Sequence, residues 1–292
     1  MIPPAFDYVA PKTLAEAIAL LAQNPEAKVL AGGHSLIPLM KLRLASPALL
    51  VDINRLSELS YIREEGGWLK IGALTREVDL DESALVQQKY PLLADTTRVI
   101  ADPLVRNMAT VGGNLAHADP ANDHPATMLA YGAQIVAAGP QGERVIPAED
   151  FFLDAFQTAL THEEILTEIR IPAPRPGSGG AYMKVERKVG DFATAAVAAQ
   201  ITLDASGRIE SAGIGLTNVG LTPIKATAAE AALKGQPPDE ATLRRAAELA
   251  AEAAQPISDQ RGSEEYKRSL VKTLTVRALR QAIARAQGGG SP

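Results

Sequence analysis

Cysteine is absent from the 292 residues. The chain therefore forms no disulfide, has no thiol nucleophile and holds no cysteine-ligated iron–sulfur cluster of its own. Any redox chemistry must use a bound organic cofactor or a cluster in another chain. Basic excess is missing too: 29 Lys and Arg against 34 Asp and Glu leave a net charge of −5. That gives no electropositive footprint for nucleic acid and no polybasic segment for an anionic membrane. The opening "MIPPAFDYVAPKTL" lacks the basic and apolar regions of a secretory signal. No apolar run approaches the ~18 residues needed to cross a bilayer. These absences lead us to expect a soluble, cytoplasmic protein, with 46% hydrophobic residues and enough length for two or three modest cores.

The chain then alternates strand and helix signals. "TLAEAIALLAQN" has a helical period, with Thr13 as N-cap and Glu16 at the capping-box position. "AKVLAGG", "PALLVDI" and, after the Gly66-Gly67 turn, "WLKIGALT" read as strands. "ALVQQKYPLLADTTRVI" and "HPATMLAYGAQ" read as helical, and "QIVAAGPQGERVIPAEDFF" as a hairpin. Prolines and glycines break the pattern at "IPAPRPGSGG", residues 171 to 180, the best candidate boundary. Beyond it come "AYMKVERK", a long strand pair joined by "DASG", and two alanine-rich helices, an α+β order. "GIGLTNVG" in that strand pair is explained by close backbone packing rather than by nucleotide binding.

Two glycine pairs carry the chemistry. In "AKVLAGGHSLIPLMKLRL", Gly32, Gly33 and Ser35 lie between a strand and a helix start. Consecutive peptide N–H groups in such a bend bind anions without a side-chain charge, and a Cβ would hold a phosphate away. No Walker lysine follows, and the G-x-G-x-x-G spacing is absent. One such pair alone reads more readily as a plain tight turn than as an anion site. "TVGGN" repeats the arrangement at Thr110–Asn114, and two bends suit the two phosphates of a pyrophosphate. "HADPANDH" offers His117, Asp119, Asp123 and His124 as metal ligands, but Pro120 and Pro125 interrupt the helical i, i+4 spacing that such ligands use. A loop with Asp123 or His124 capping a helix that starts at Pro125 is the preferred reading. Asp123 is then free to accept from ribose hydroxyls.

"AKVLAGGHSLIPLMKLRLA" followed by "ADPLVRNMATVGGNLAHADPANDHP" resembles the FAD-binding subunits of the xanthine dehydrogenase family. Within that family the chain is most similar to the medium subunits of aerobic carbon monoxide dehydrogenases and related molybdenum hydroxylases. "EEILTEIRIP", "AYMKVERKVGDFATAAVA", "GIGLTNVGLTPIKA" and "DQRGSEEYKRSLVKTLTVRAL" extend the likeness over nearly the whole chain. The resemblance implies an α+β chain. A two-part FAD-binding domain of the vanillyl alcohol oxidase type would span 1–174 (parts 1–57 and 58–174). A smaller α+β domain would cover 175–288, with a flexible tail at 289–292. It further implies that Val29, Leu30, Ala31, Gly32, Gly33, His34, Ser35 and Leu36, with Thr110, Val111, Gly112, Gly113 and Asn114, wrap the FAD pyrophosphate and ribityl chain. Asp123 would bind the adenosine ribose, Ile100 and Leu166 would pack near the cofactor, and Lys184 would approach the flavin. Phe192, in "GDFA", stands where the carbon monoxide dehydrogenase branch typically has tyrosine against the ring; it keeps the ring face and loses the hydroxyl. Without the resemblance, Lys184 reads as a solvated lysine, Ile100 and Leu166 as core, and Phe192 as core or interface.

No residue here reads as a catalytic nucleophile or a paired acid and base, so a flavin would carry the chemistry. The implied partners are a small iron–sulfur subunit, a large molybdopterin subunit and an external electron acceptor. A hetero-oligomer is expected, of the kind a dimer of trimers would form. A stand-alone flavin oxidase or reductase, a cofactor-free assembly factor and a metal-dependent hydrolase are the alternatives at this stage.

Overall fold

The computed structural model describes residues 2–288; the tail expected at 289–292 lies outside them. Three strands open the chain: Asp7–Val9, Ala27–Leu30 and Leu49–Asp52. They form a parallel sheet with Leu49–Asp52 in the middle. Parallel neighbours need a crossover. The first is the helix Leu14–Gln23, whose Ala17 and Leu21 are buried against the sheet's Ala27 and Val51. Thr13 caps it, its hydroxyl accepting from Glu16 N at 3.2 Å. Glu16 reaches one residue past the expected capping-box partner, accepting from Lys12 N at 2.8 Å.

A second sheet is antiparallel, in the order Ile62–Glu65, Trp68–Gly72, Ile165–Pro172, Gln134–Gly139, Gly142–Pro147. Its core gathers Leu69, Ile71, Ile135, Ile169 and Phe151 with Leu93 and Leu115 from covering helices. The stretch read as one helix from Ala84 is two, Ala84–Lys89 and Pro91–Arg98, because Pro91 cannot donate into the preceding turn. The helix expected to start at Pro125 begins at Asp123, after Asn122, and runs to Tyr131. Asp123 and His124 thus lie inside its first turn rather than capping it, since proline is tolerated there without its N–H.

The connection 173–177 leads to a third sheet, Ser178–Val185, Ala195–Leu203, Ile209–Thr217 and Ile224–Lys225. Helices Glu240–Ala253 and Glu264–Ala286 cover one face. The other face meets the helix Asp123–Tyr131, where Ala126 and Ala130 pack among Tyr182, Ala196 and Ala198. A Cβ on Gly213 or Gly215 would run into the carbonyls of Ala130 and Ala126. Gly213 and Gly215 of "GIGLTNVG" are there for this close approach, the backbone packing that the sequence reading expects. The short helix Thr227–Leu233 had no counterpart in that reading.

Candidate functional site

The first bend leaves the carboxyl end of the edge strand Ala27–Leu30 and enters the helix Leu36–Lys41. Crevices beyond the carboxyl ends of parallel strands are where such sheets bind ligands. Gly33 has φ +77°, a left-handed value that strains any residue with a Cβ. A Cβ on Gly32 would lie 2.5 Å from the Met108 carbonyl oxygen and 2.8 Å from Ala109 Cα. Among the described residues, the main-chain N–H groups of Gly32, Gly33, His34 and Ser35 find no protein acceptor. Four consecutive unpartnered donors form a concavity of partial positive charge. His34 turns its Nδ1 to the Gly32 carbonyl, 3.1 Å away.

The second bend is built differently. Thr110 is the N-cap of the helix Val111–His117, and its hydroxyl accepts from Gly113 N at 3.1 Å. Val111 N donates to Thr75 O, Gly112 N to Ala73 O and Asn114 N to Thr110 O. The amides from Val111 to Asn114 are therefore engaged within the protein, and only the first bend offers a free row. Gly112 is a packing residue: a Cβ there would sit 2.6 Å from Ala73 Cβ and 2.7 Å from its carbonyl oxygen. Gly113 faces the first bend, with Ala31 Cβ 3.9 Å from where its own Cβ would stand. Asn114 Oδ1 is buried without a hydrogen-bond partner among the described residues. The two bends are adjacent, as two halves of one site require. The free amide row and the orphaned Asn114 oxygen fit a ligand with both acceptor and donor groups, as a dinucleotide has.

Two side chains that the sequence reading passed over join the bends. Asn54 Nδ2 donates to Ala31 O at 2.7 Å and to Asp52 Oδ1 at 2.6 Å. Arg76 donates through Nη2 to Asn54 Oδ1 at 2.7 Å and through Nη1 to the Met108 carbonyl. Neither has a sequence signal, because each lies in an ordinary strand-end turn far from the glycines in the chain. Burial pulls the Arg76 pKa down, with Asp79 and Asp52 acting the other way.

The remaining predicted residues fall into three groups. Asp123 and Lys184 are a buried ion pair at 2.9 Å, with side-chain exposures of 7% and 3%. The solvated reading of Lys184 is thereby corrected. The strand Ser178–Val185 carries the lysine under the helix Asp123–Tyr131, where Val99 O (3.0 Å) and Glu186 Oε2 (3.4 Å) complete its shell. Asp123 also accepts from Tyr182 Oη at 2.7 Å. Burial raises the Asp123 pKa, with the Lys184 charge opposing it, and Tyr182 is raised well above its ordinary value by burial beside Asp123. For Asp123 to receive a ribose hydroxyl it must share an oxygen already bonded to Tyr182 or Lys184. Ile100 follows Val99 and is buried, while Leu166 lies in the core of the second sheet, opposite Ala137. Phe192 is 47% exposed on the loop between Val185 and Ala195, where Asp191 is bonded to Arg187 and Arg261.

The four side chains weighed as metal ligands diverge. His117 packs on Phe156 at 5.2 Å, and Asp119 accepts from Ala121 N. His124 bonds Glu77 Oε2 at 2.8 Å, both fully buried. Among the described residues, no three His, Asp or Glu side chains are placed to share a metal ion.

Residues 4–174 match the family described as the FAD binding domain in molybdopterin dehydrogenase. Residues 180–282 match the CO dehydrogenase flavoprotein C-terminal domain. The chain is 46% identical to the carbon monoxide dehydrogenase medium chain of Hydrogenophaga pseudoflava, over 98% of this chain and 99% of that one. It is 39% identical to the glyceraldehyde dehydrogenase medium chain of Sulfolobus acidocaldarius, over 96% and 99%. A solved structure of the Hydrogenophaga carbon monoxide dehydrogenase lacking the Mo-pyranopterin moiety superposes with a TM-score of 0.95 at 49% identity, covering 98% of this chain and 99% of the other.

Proposed function

Because the chain belongs to the family of FAD-binding medium subunits of molybdopterin dehydrogenases, we propose that the free amides of its first glycine bend hold the FAD diphosphate and that the second bend, whose amides are engaged within the protein, lines the site beside it. It is an oxidoreductase subunit whose cofactor is FAD and whose work is electron transfer. The observation that carries the proposal is the row of four unpartnered amides from Gly32 to Ser35, packed against the second bend. Such a row binds an anion with main-chain dipoles already oriented. The FAD-binding part is 1–174 and the smaller domain 175–288. FAD supplies the redox chemistry when bound. Val29 to Leu36 and Thr110 to Asn114 line the diphosphate and ribityl side, Ile100 and Leu166 shape the wall, and Phe192 lies toward the ring. The Asp123–Lys184 ion pair ties the two domains together beside the cofactor.

Electrons reach this chain from a small iron–sulfur subunit, fed by a large molybdopterin subunit, and leave to an external acceptor in the cytoplasm. The cysteine-free sequence supports this division, since the chain can hold no cysteine-ligated cluster. Substrate choice lies outside the chain: relatives at 46% and 39% identity serve carbon monoxide and glyceraldehyde dehydrogenases respectively. Apolar side chains stand exposed beside the bends, at Leu42, Leu44, Leu104 and Met108, and at Val189 on the loop that carries Phe192. That surface suits a protein neighbour. Co-expression with the adjacent genes tests the reading. Copurification with a cysteine-rich small subunit and a molybdopterin large subunit is expected, with flavin bleaching when the clusters are reduced. A chain that purifies alone and turns over its own substrate would overturn it.

A further inference from the structure

Arg76 is half-buried, yet among the described residues no carboxylate lies within ion-pair distance of it. Its guanidinium donates instead to two neutral acceptors, the Met108 carbonyl and Asn54 Oδ1. Met108 is the residue against which Gly32 packs, and Asn54 in turn holds the carbonyl of Ala31. One cation thus joins the residue before the first glycine pair to the residue two before Thr110. The Asp79 and Asp52 charges offset only part of the desolvation of this cation, and an anion bound at the seam would offset more of it. Burial at this seam also reduces screening of its field.

We infer that Arg76, positioned by Asn54, sets the spacing of the two glycine bends and supplies the fixed positive charge opposite the cofactor diphosphate. The inference rests on the FAD reading above and assigns it a positioning residue that lies in neither glycine motif. Lysine carries the same charge but lacks the fork that reaches both acceptors.

FAD affinity measured by fluorescence titration at low and high salt, with apo-protein melting in parallel, tests this. For Arg76→Gln, affinity should fall about ten- to a hundredfold, the range of a charge-assisted hydrogen bond, and the salt dependence of binding should flatten. Arg76→Lys should keep the salt dependence with weakened affinity. Asn54→Ser should weaken affinity through lost registry while leaving the salt dependence intact. Wild-type affinity and salt dependence in both Arg76→Lys and Arg76→Gln would overturn the inference alone. If Arg76→Gln fails to fold, Arg76→Lys and Asn54→Ser decide it, and wild-type affinity in both rejects it. A wild-type chain that takes up no FAD would remove the cofactor assignment as well.

Discussion

At the scale of single residues, the two glycine motifs look alike in sequence and do different work. Gly33 takes a left-handed turn and Gly32 lets the first bend lie against Met108, whereas Gly112 lets a helix start press on Ala73. Gly112→Ala should therefore cost stability, about 1–3 kcal/mol as an overpacked site, seen in chemical denaturation of the apo protein. Lys184 is the other informative residue. Lys184→Met strands the buried Asp123 carboxylate, and the expected loss is about 3–5 kcal/mol. The double substitution Asp123→Asn with Lys184→Met should recover most of that loss, because neither charge then remains unpaired. Denaturant midpoints of the two variants measure it; equal losses in both would contradict the ion-pair account.

At the scale of elements, the helix Val111–His117 carries the second bend at its start and a titrating group at its end. Burial holds the His117 imidazole below its ordinary value of 6.5, against the pull of Asp119. The unfolded chain then binds more protons than the folded one just below that pH, so stability rises with pH through this window and falls on acidification. His117→Gln should flatten the dependence of the melting midpoint between about pH 7.5 and 5 relative to wild type. An unchanged profile would remove His117 as its source. Most elements were legible in the sequence because periodicity and proline report local geometry. "TLAEAIALLAQN" and "DASG" are examples, and both fall where expected. The first bend was legible for the same reason. The partners of the second bend's amides were not, because Ala73 and Thr75 lie more than thirty residues earlier in the chain and meet it only through the fold. The Asn54–Arg76 link and the burial of Lys184 were hidden likewise: each depends on which strand or helix comes to lie alongside.

At the scale of the molecule, the third sheet closes on the helix Asp123–Tyr131 through small residues, and the Asp123–Lys184 pair crosses the same seam. The first 174 residues and the C-terminal sheet are thus packed together across this seam. The apolar rim beside the bends gives the assembly prediction. Leu104 is 77% exposed, so Leu104→Asp should change the stability of the free chain by less than about 0.5 kcal/mol. FAD uptake should be unaltered while copurification with the small subunit is reduced. Retained association would place that partner elsewhere. The account as a whole depends on main-chain dipoles gripping a diphosphate, and an equilibrium titration of the purified chain tests this most directly. One FAD should bind per chain, ADP should displace it, and riboflavin, which has no phosphate, should bind far more weakly. Riboflavin binding as tight as FAD, or no displacement by ADP, would contradict the account.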